Sequence, residues 1–154
     1  MELKKKYRSI VYKRRLTLPY GRALDCLAGD CPWPETQIGS EIGYAMDFYP
    51  DLEPRVFLSY ERDSWYAPES GLRITFDDAI RFRTADLTLD SDLWGTALLR
   101  PDQVLMELKA PGAIPLWMVR LLTEMGLYKT SFSKYGTAYQ ILLEQEYKGG
   151  KRYA

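Results

Sequence analysis

The sequence predicts an α+β fold in which antiparallel strands carry one apolar face that helices cover. Apolar residues recur at helical spacing between Pro19 and Met46 and again after Pro115, whereas between Pro54 and Ala110 they alternate with a period of two. The chain has 154 residues, of which 46% are apolar, and this is enough for one sizeable core. We therefore expect one domain over residues 1–146, followed by a flexible basic tail at 147–154.

The first element is predicted to be a β-hairpin over residues 2–16, because β-forming residues flank a turn near Arg8 and Ser9. With a two-residue turn, Lys4 lies opposite Lys13 and Glu2 opposite Arg15. One face then presents Glu2, Lys4, Lys6, Lys13 and Arg15. Because opposed lysines repel each other, this face is expected either to be fully solvated or to bind an anion.

Two helices are expected next. Pro19 suits the first turn of one that ends near Gly29 and buries a stripe of Ala23, Leu24 and Leu27. The other follows the linker at Pro32 and Pro34, with Glu35 early in the helix, where its charge favours the dipole. Its apolar stripe contains Ile38, Ile42, Ala45 and Met46.

Three strands are predicted at 55–62, 72–83 and 104–110, and the first two are joined by an irregular hairpin loop at 63–71. Pro115 begins an amphipathic helix that Gly126 ends. Its buried side is expected to contain Leu116, Val119, Leu121, Leu122 and Met125. A last helical or irregular piece covers residues 132–146.

The predicted strands place their charges at every second residue, hence on one face of the sheet. The same-face pairs are Tyr60 with Arg62, Arg73 with Thr75, Arg81 with Arg83, and Glu107 with Lys109. The other face is apolar and could be covered by the helix at 115–125; it contains Val56 or Phe57, Leu72, Ile74, Phe76, Met106 and Leu108. A basic concave surface suits phosphate, although an ordinary solvated face is the alternative. Among these cations Glu107 stays ionised and fits a ligand of Mg²⁺ or Mn²⁺ better than a base.

Composition excludes several function classes. Twenty-one basic and 21 acidic side chains cancel, so no general basic coat for nucleic acid or lipid is indicated. The absence of histidine excludes Ser-His-Asp and Cys-His nucleophilic sites and histidine-containing zinc sites. Cys26 and Cys31 have neither redox CxxC nor zinc-site spacing, which favours reduced thiols in a cytosol. No membrane span or signal peptide is evident, so a soluble cytoplasmic protein is expected.

Seven segments together resemble the polyphosphate polymerase domain, also called the VTC domain, of the CYTH-like triphosphate tunnel metalloenzymes. They occur in the order seen in that family and span nearly all of residues 1–140. The segments are Glu2-Leu3-Lys4, Val11-Tyr12-Lys13-Arg14-Arg15, Ser59-Tyr60-Glu61-Arg62, Leu72-Arg73-Ile74-Thr75-Phe76-Asp77, Met106-Glu107-Leu108-Lys109, Pro115-Leu116-Trp117 and Ser131-Phe132-Ser133-Lys134-Tyr135.

The resemblance implies an antiparallel β-tunnel in which ATP gives its γ-phosphate to a polyphosphate chain in the presence of Mg²⁺ or Mn²⁺. By position it implies catalytic cations at Lys13, Arg15, Arg62, Arg73, Lys109 and Lys134, with Glu107 as the metal ligand. Lys4, Lys6, Arg62, Arg73 and Lys134 would bind the nucleotide phosphates. Arg14 and Glu61 are expected on the outer surface, Arg81 and Arg83 within the tunnel or at its rim, and Tyr60 and Tyr135 in the core or against a base.

The chain departs from the family at its start, because family members carry further strands before the segment that matches Glu2. We therefore expect a partial, open tunnel that is completed by an upstream segment or by self-association. Phosphoryl transfer needs positioning and charge neutralisation rather than histidine, so an enzyme remains compatible with the composition. Gly149-Gly150-Lys151 lacks the spacing of a Walker loop. A non-catalytic polyphosphate or nucleotide-binding module and a triphosphate hydrolase remain alternatives.

Overall fold

The chain forms two compact units, Met1–Glu53 and Pro54–Ala154. The structure, a computed structural model, describes residues 1–8 and 10–148, with the side chains of Lys6 and of residues 146–148 excepted. Within that part of the chain, four helices accompany two antiparallel sheets, neither of which closes on itself. The predicted α+β class and its open sheet are therefore confirmed.

The first unit begins with the predicted hairpin, formed by β1 (Glu2–Tyr7) and β2 (Ile10–Arg15). Its register is the predicted one, with Glu2 opposite Arg15 and Lys4 opposite Lys13. Arg8 adopts the positive φ of 46° that a tight hairpin turn requires, while Ser9 lies outside the described residues. The amino group of Met1 donates to the carbonyl of Leu16 at 2.9 Å, which ties the open end of the hairpin.

Two helices complete this unit. Helix α1 (Tyr20–Ala28) follows Pro19 and ends at Gly29, whose φ of 85° is the left-handed conformation that glycine adopts without strain. Leu24 and Leu27 of the predicted stripe are exposed, because the helix turns Cys26 inward instead.

Helix α2 (Gln37–Phe48) is capped by the Thr36 hydroxyl, which accepts a hydrogen bond from the Gly39 amide at 3.1 Å. Glu35 therefore precedes the helix cap, and the prediction that it lies early in the helix is wrong. Ile42, from the predicted stripe, is buried.

The second unit contains a four-stranded antiparallel sheet of β3 (Phe57–Ala67), β4 (Leu72–Arg83), β5 (Thr96–Ala97) and β6 (Leu105–Lys109). Strand β4 is central and pairs with the other three. Strand β3 is longer than predicted, because residues 63–67 continue the ladder rather than forming a loop. The two-residue β5 was not predicted, since so short a strand has no sequence period.

A bulge in the β3–β4 ladder changes which side chains share a face. The register shifts between Ser59 and Glu61, and Ala79 takes a positive φ of 44°. One extra residue in β4 moves Ile80 and Phe82 to the same side as Asp77. Leu105 supports this assignment, because it lies opposite Asp77 on β6 and packs against the cluster that contains Ile80 and Phe82.

The helices of the second unit are α3 (Leu116–Glu124) and α4 (Lys134–Lys148). The core cluster is formed by Ile80, Phe82, Leu98 and Ala138, with Ile141 and Leu142 of α4 packed against it. Helix α4 thus presents a stripe at positions 134, 138, 141 and 142 to the Asp77 side of the sheet.

The buried side predicted for residues 115–125 is largely wrong. Leu116, Val119, Leu121 and Met125 are exposed, and Met118 is the buried residue of α3. The helical residues of the core cluster belong to α4, and the predicted stripe of α3 does not pack against this cluster. Of the described helices, none combines the length and the apolar character that crossing a membrane would need.

Candidate functional site

One face of the four-stranded sheet gathers the charged side chains of the second unit. Across β4 and β6, Arg73 lies opposite Lys109 and Thr75 opposite Glu107; across β3 and β4, Arg62 lies opposite Asp77. Directly opposed residues in an antiparallel ladder share a face, and so do alternate residues along each strand. The period-two pattern of the sequence therefore becomes one charged surface, which we call the cation face and define by Arg62, Arg73, Thr75, Asp77, Glu107, Lys109 and Lys134.

Asp77 is the buried centre of this face, with its side chain only 1% exposed. The Arg62 guanidinium donates to both carboxylate oxygens, from Nε to Oδ1 at 2.5 Å and from Nη2 to Oδ2 at 2.7 Å. Lys134 Nζ, from the first turn of α4, reaches Oδ2 at 2.5 Å. Asp77 thus positions one cation from the sheet and one from a helix that is 57 residues later in the chain.

The ion pairs fix the charge states at this centre. The hydrogen bonds from Arg62, and then those from Lys134, hold the pKa of Asp77 below its ordinary value despite burial. The pKa of the Arg62 guanidinium is raised, mainly by its hydrogen bonds to Asp77, with smaller contributions from Tyr60 and Glu107. Four basic side chains therefore share this face with two carboxyl groups, those of Asp77 and Glu107.

Tyr60 supports the same two cations from the side. Its ring centroid lies 4.8 Å from the guanidinium carbon of Arg62 and 4.5 Å from Lys134 Nζ. Such cation–π contacts orient a cation without neutralising it. Tyr60 is 41% exposed and Tyr135 is 53% exposed, so neither side chain packs in the core. Of the two positions expected for these tyrosines, the one in the core is therefore wrong.

Thr75 carries an unpartnered hydroxyl in the middle of the cation face. The residue is 7% exposed, and its Oγ1 has no hydrogen-bond partner within the described part of the chain. A buried hydroxyl without a partner costs about 1–3 kcal/mol, so native proteins rarely keep one. Since its neighbours along β4 are Arg73 and Asp77, an anionic ligand at this face could accept the hydrogen bond.

Glu107 is the carboxylate of this face that is open to a ligand. Its side chain is 47% exposed, and Oε1 contacts Lys109 Nζ at 2.9 Å. No group of three or more cysteines, aspartates and glutamates among residues 1–8 and 10–148 could hold a metal by itself. The donor set fits Mg²⁺ or Mn²⁺ bound through one carboxylate with phosphates and waters, which is the usual mode for these ions, and it does not fit an all-protein cage.

The hairpin of the first unit carries the other predicted phosphate-binding residues. Lys4, Lys13 and Arg15 are exposed on one face, whereas the side chain of Lys6, which was also predicted to bind phosphate, lies outside the described part of the chain. Glu2 contacts Lys13 at 3.7 Å and Arg15 at 3.3 Å, and these contacts lower its pKa. Arg14 projects to the other face and contacts Glu41 of α2 at 3.5 Å. Arg14 is therefore partly covered, whereas a surface position was predicted.

Arg83 is not available to line a tunnel, because it is buried. It is 3% exposed and makes hydrogen bonds to four carbonyl oxygens, those of Asp86, Thr88, Asp92 and Trp94, and to the Ser91 hydroxyl. Its guanidinium also lies 3.6 Å from the ring centroid of Phe57. Arg83 therefore organises the loop at 84–95, whereas Arg81 is exposed and donates a hydrogen bond to the Gly95 carbonyl at 3.3 Å.

Sequence reasoning assigned roles to Arg62, Arg73, Glu107, Lys109 and Lys134, and the structure brings all five to the cation face. It assigned none to Asp77 or Thr75. Thr75 lies two residues and Asp77 four residues after Arg73. This spacing was the available signal, because alternate residues of a strand share a face.

A separate cavity of about 360 Å³ lies beside the bulge and is lined by residues such as Glu61, Asp78 and Arg100.

A family model described as the VTC domain matches residues 1–143. No curated protein and no solved structure matches the chain.

Proposed function

This chain belongs to the VTC domain family, which is related to the polyphosphate polymerases, and on that premise we propose that it binds ATP and polyphosphate at the cation face. In this proposal the γ-phosphate of ATP is transferred to a polyphosphate chain in the presence of Mg²⁺ or Mn²⁺. The observation that carries it is that the buried Asp77 holds Arg62 and Lys134 on the same face of the sheet as Arg73 and Lys109.

The residues divide into two groups by their contacts. Arg62 and Lys134 are held by Asp77, so their orientation is set before any ligand arrives. Arg73 and Lys109 lie opposite each other on β4 and β6 and are exposed, so a phosphate chain in solution can reach them. Pre-positioned cations suit phosphoryl transfer, because that reaction depends mainly on alignment and charge neutralisation.

Individual donors can be assigned to the phosphate oxygens. Asp77 uses the Nε and one Nη2 hydrogen of Arg62, so the remaining guanidinium hydrogens can bind phosphate. The Thr75 hydroxyl would donate its free hydrogen to a phosphate oxygen between Arg73 and Arg62. Glu107 would hold the metal ion, which would supply positive charge to the phosphates.

The first test replaces Arg73 rather than Arg62, because Arg62 also neutralises a buried carboxylate. Arg73→Ala should weaken binding of ATP and of long-chain polyphosphate about 10- to 100-fold by calorimetry, which corresponds to one or more charge-assisted bonds. Its unfolding curve should match that of the parent, since Arg73 is exposed. Arg81→Ala is the control, and equal affinities in the two variants would contradict the proposal.

The second test uses Thr75→Val, which keeps the shape of the side chain and removes the hydroxyl. If the hydroxyl serves a ligand, the variant should be as stable as the parent or up to about 1 kcal/mol more stable, and yet bind polyphosphate several-fold more weakly. Thr75→Ser should retain binding. If Thr75→Val has the same stability and the same affinity for polyphosphate as the parent, Thr75 is not part of the site.

Product analysis separates turnover from binding. The full chain is incubated with ATP and Mn²⁺ or Mg²⁺, and polymer and free phosphate are measured separately. Polymer formation that Glu107→Gln abolishes and Glu61→Gln preserves supports the polymerase with Glu107 as metal ligand. Free phosphate alone indicates a triphosphate hydrolase, and binding without either product indicates a binding module; both of these outcomes reject the polymerase.

A further inference from the structure

The two cysteines of the first unit lie in contact, although their sequence spacing matches no redox motif. Cys26 Sγ and Cys31 Sγ are 2.8 Å apart, and both residues are free thiols. Two sulfur atoms this close can be joined by a small movement of the side chains.

The end of helix α1 explains the contact. Cys26 lies in its last turn, and Gly29 in the left-handed conformation reverses the chain. The Asp30 amide then donates to the Asp25 carbonyl at 2.9 Å, which folds the following residues back along the helix. The turn therefore brings Cys31 onto Cys26, and no long-range contact is needed.

The two thiols differ in their access to solvent. Cys26 is 4% exposed, and its sulfur also contacts the Pro32 carbonyl at 3.5 Å. Cys31 is half-buried, and its sulfur is 3.9 Å from the Arg22 carbonyl. A small oxidant in solution can therefore reach the sulfur of Cys31, whereas the sulfur of Cys26 is shielded from it.

We propose that Cys26 and Cys31 are a covalent modification site, in which they form a reversible intramolecular disulfide with Cys31 as the attacking and Cys26 as the resolving thiol. With a peroxide as oxidant, the Cys31 thiolate attacks one peroxide oxygen, the O–O bond breaks and hydroxide leaves. Cys26 then attacks the sulfur of the resulting sulfenic acid, the S–O bond breaks and water leaves. The two thiols are oxidised and the peroxide is reduced to two waters, whereas a small thiol reverses the bond by exchange.

The surroundings make this oxidation slow at neutral pH. The hydrogen bond with Cys26 raises the pKa of the Cys31 thiol, and burial and Asp25 act in the same direction, whereas Arg22 opposes them. Because the thiolate is the nucleophile, the rate should rise about tenfold for each pH unit below that pKa. The site is therefore suited to sustained oxidation rather than to rapid peroxide removal.

In the test, the full chain is treated with hydrogen peroxide, unfolded in urea with N-ethylmaleimide so that both free cysteines can be labelled, and digested without reduction. Cleavage before aspartate separates the cysteines, because Asp30 lies between them. After oxidation, the fragments 25–29 and 30–46 should remain joined, lighter by two hydrogen atoms and unlabelled, until a thiol reductant separates them. The untreated chain should give two separate, labelled fragments.

Two variants test the assigned roles. Cys26→Ser should leave a sulfenic acid at Cys31 that dimedone traps, whereas Cys31→Ser should leave Cys26 largely unreactive. The proposal is overturned if both thiols of the parent stay labelled after peroxide treatment, or if the linked product joins two chains. The fragment test needs neither variant to fold and uses no phosphate ligand, so its outcome is independent of the proposed function.

Discussion

Replacing Asp77 by asparagine should destabilise the second unit, because Asp77→Asn removes the carboxylate that two cations share. Removing one partner of a buried ion pair costs about 3–5 kcal/mol. Arg62 is 37% and Lys134 is 19% exposed, so water can partly rehydrate both, and asparagine keeps one acceptor oxygen. We therefore expect a loss of about 2–3 kcal/mol and a fall in melting temperature of roughly 5–10 °C.

The neighbouring carboxylate provides a matched control. Asp78 is exposed, projects to the opposite face of β4 and lies across from Glu61, which carries the same charge. Asp78→Asn should therefore be neutral or slightly stabilising, since opposed like charges repel. Urea unfolding followed by tryptophan fluorescence measures both variants, because Trp65 lies on the adjacent strand, β3.

The dependence on pH distinguishes the ion pair from simple packing. The pKa of Asp77 is lowered in the folded chain, so its stabilisation is present above the unfolded value of about 3.9 and is lost as pH falls through the folded value. The difference between the parent and Asp77→Asn should thus be full at pH 7 and should close as pH falls below about 4. A difference that stays constant over this range, or a cost no larger than that of Asp78→Asn, would refute the reasoning.

Two further pairs of variants test the contacts of Arg83 with the loop at 84–95 and the close approach of the backbone at Gly95. Arg83→Ala removes five hydrogen bonds to the loop and should cost about 3 kcal/mol or more in chemical unfolding, while Arg81→Ala should stay within about 0.5 kcal/mol. Similar costs in the two would contradict the buried role of Arg83. Gly95→Ala places a Cβ against the Phe82 carbonyl at a φ of 141° and should lower stability by about 2 kcal/mol or more. Gly21→Ala meets nothing within 4 Å and should raise it by about 0.5–1 kcal/mol, so equal melting temperatures would argue against the close approach at Gly95.

Local chemistry was enough to predict most elements. The hairpin register follows from a two-residue turn, and the limits of β4 follow from apolar residues at every second position, first at Leu72, Ile74 and Phe76 and again at Ile80 and Phe82. Pro19, Gly29 and Pro115 each act on their own backbone, so the helix limits they indicate agree with the structure. By contrast, the limits of β3 were misjudged, because residues 63–67 are polar or aromatic and depend on their partners in β4 for strand structure.

Four cations and one carboxylate of the cation face were predicted from the sequence, but their arrangement was not. Strand periodicity places Arg62, Arg73 and Glu107 on one side, because a strand turns its side chains by a fixed alternation. That Lys134 joins them depends on where α4 packs, and this is set by the fit of Ala138, Ile141 and Leu142 against Ile80 and Phe82. The bulge at Ala79, which turns those two residues toward α4, has no clear sequence signal.

The sequence alone therefore determined most of the secondary structure, the strand polarity and the absence of histidine chemistry, since these depend on neighbours within a few residues or on composition. Only the tertiary structure decided that Asp77 anchors two cations, that Arg83 is buried, and that the stripe of α3 stays exposed. Each of these depends on contacts between residues far apart in the chain, and packing at such distances selects among partners that the local pattern leaves equivalent. The close approach of Cys26 and Cys31 lies between the two cases, because it is a local turn whose side-chain geometry becomes visible only once the helix end is formed.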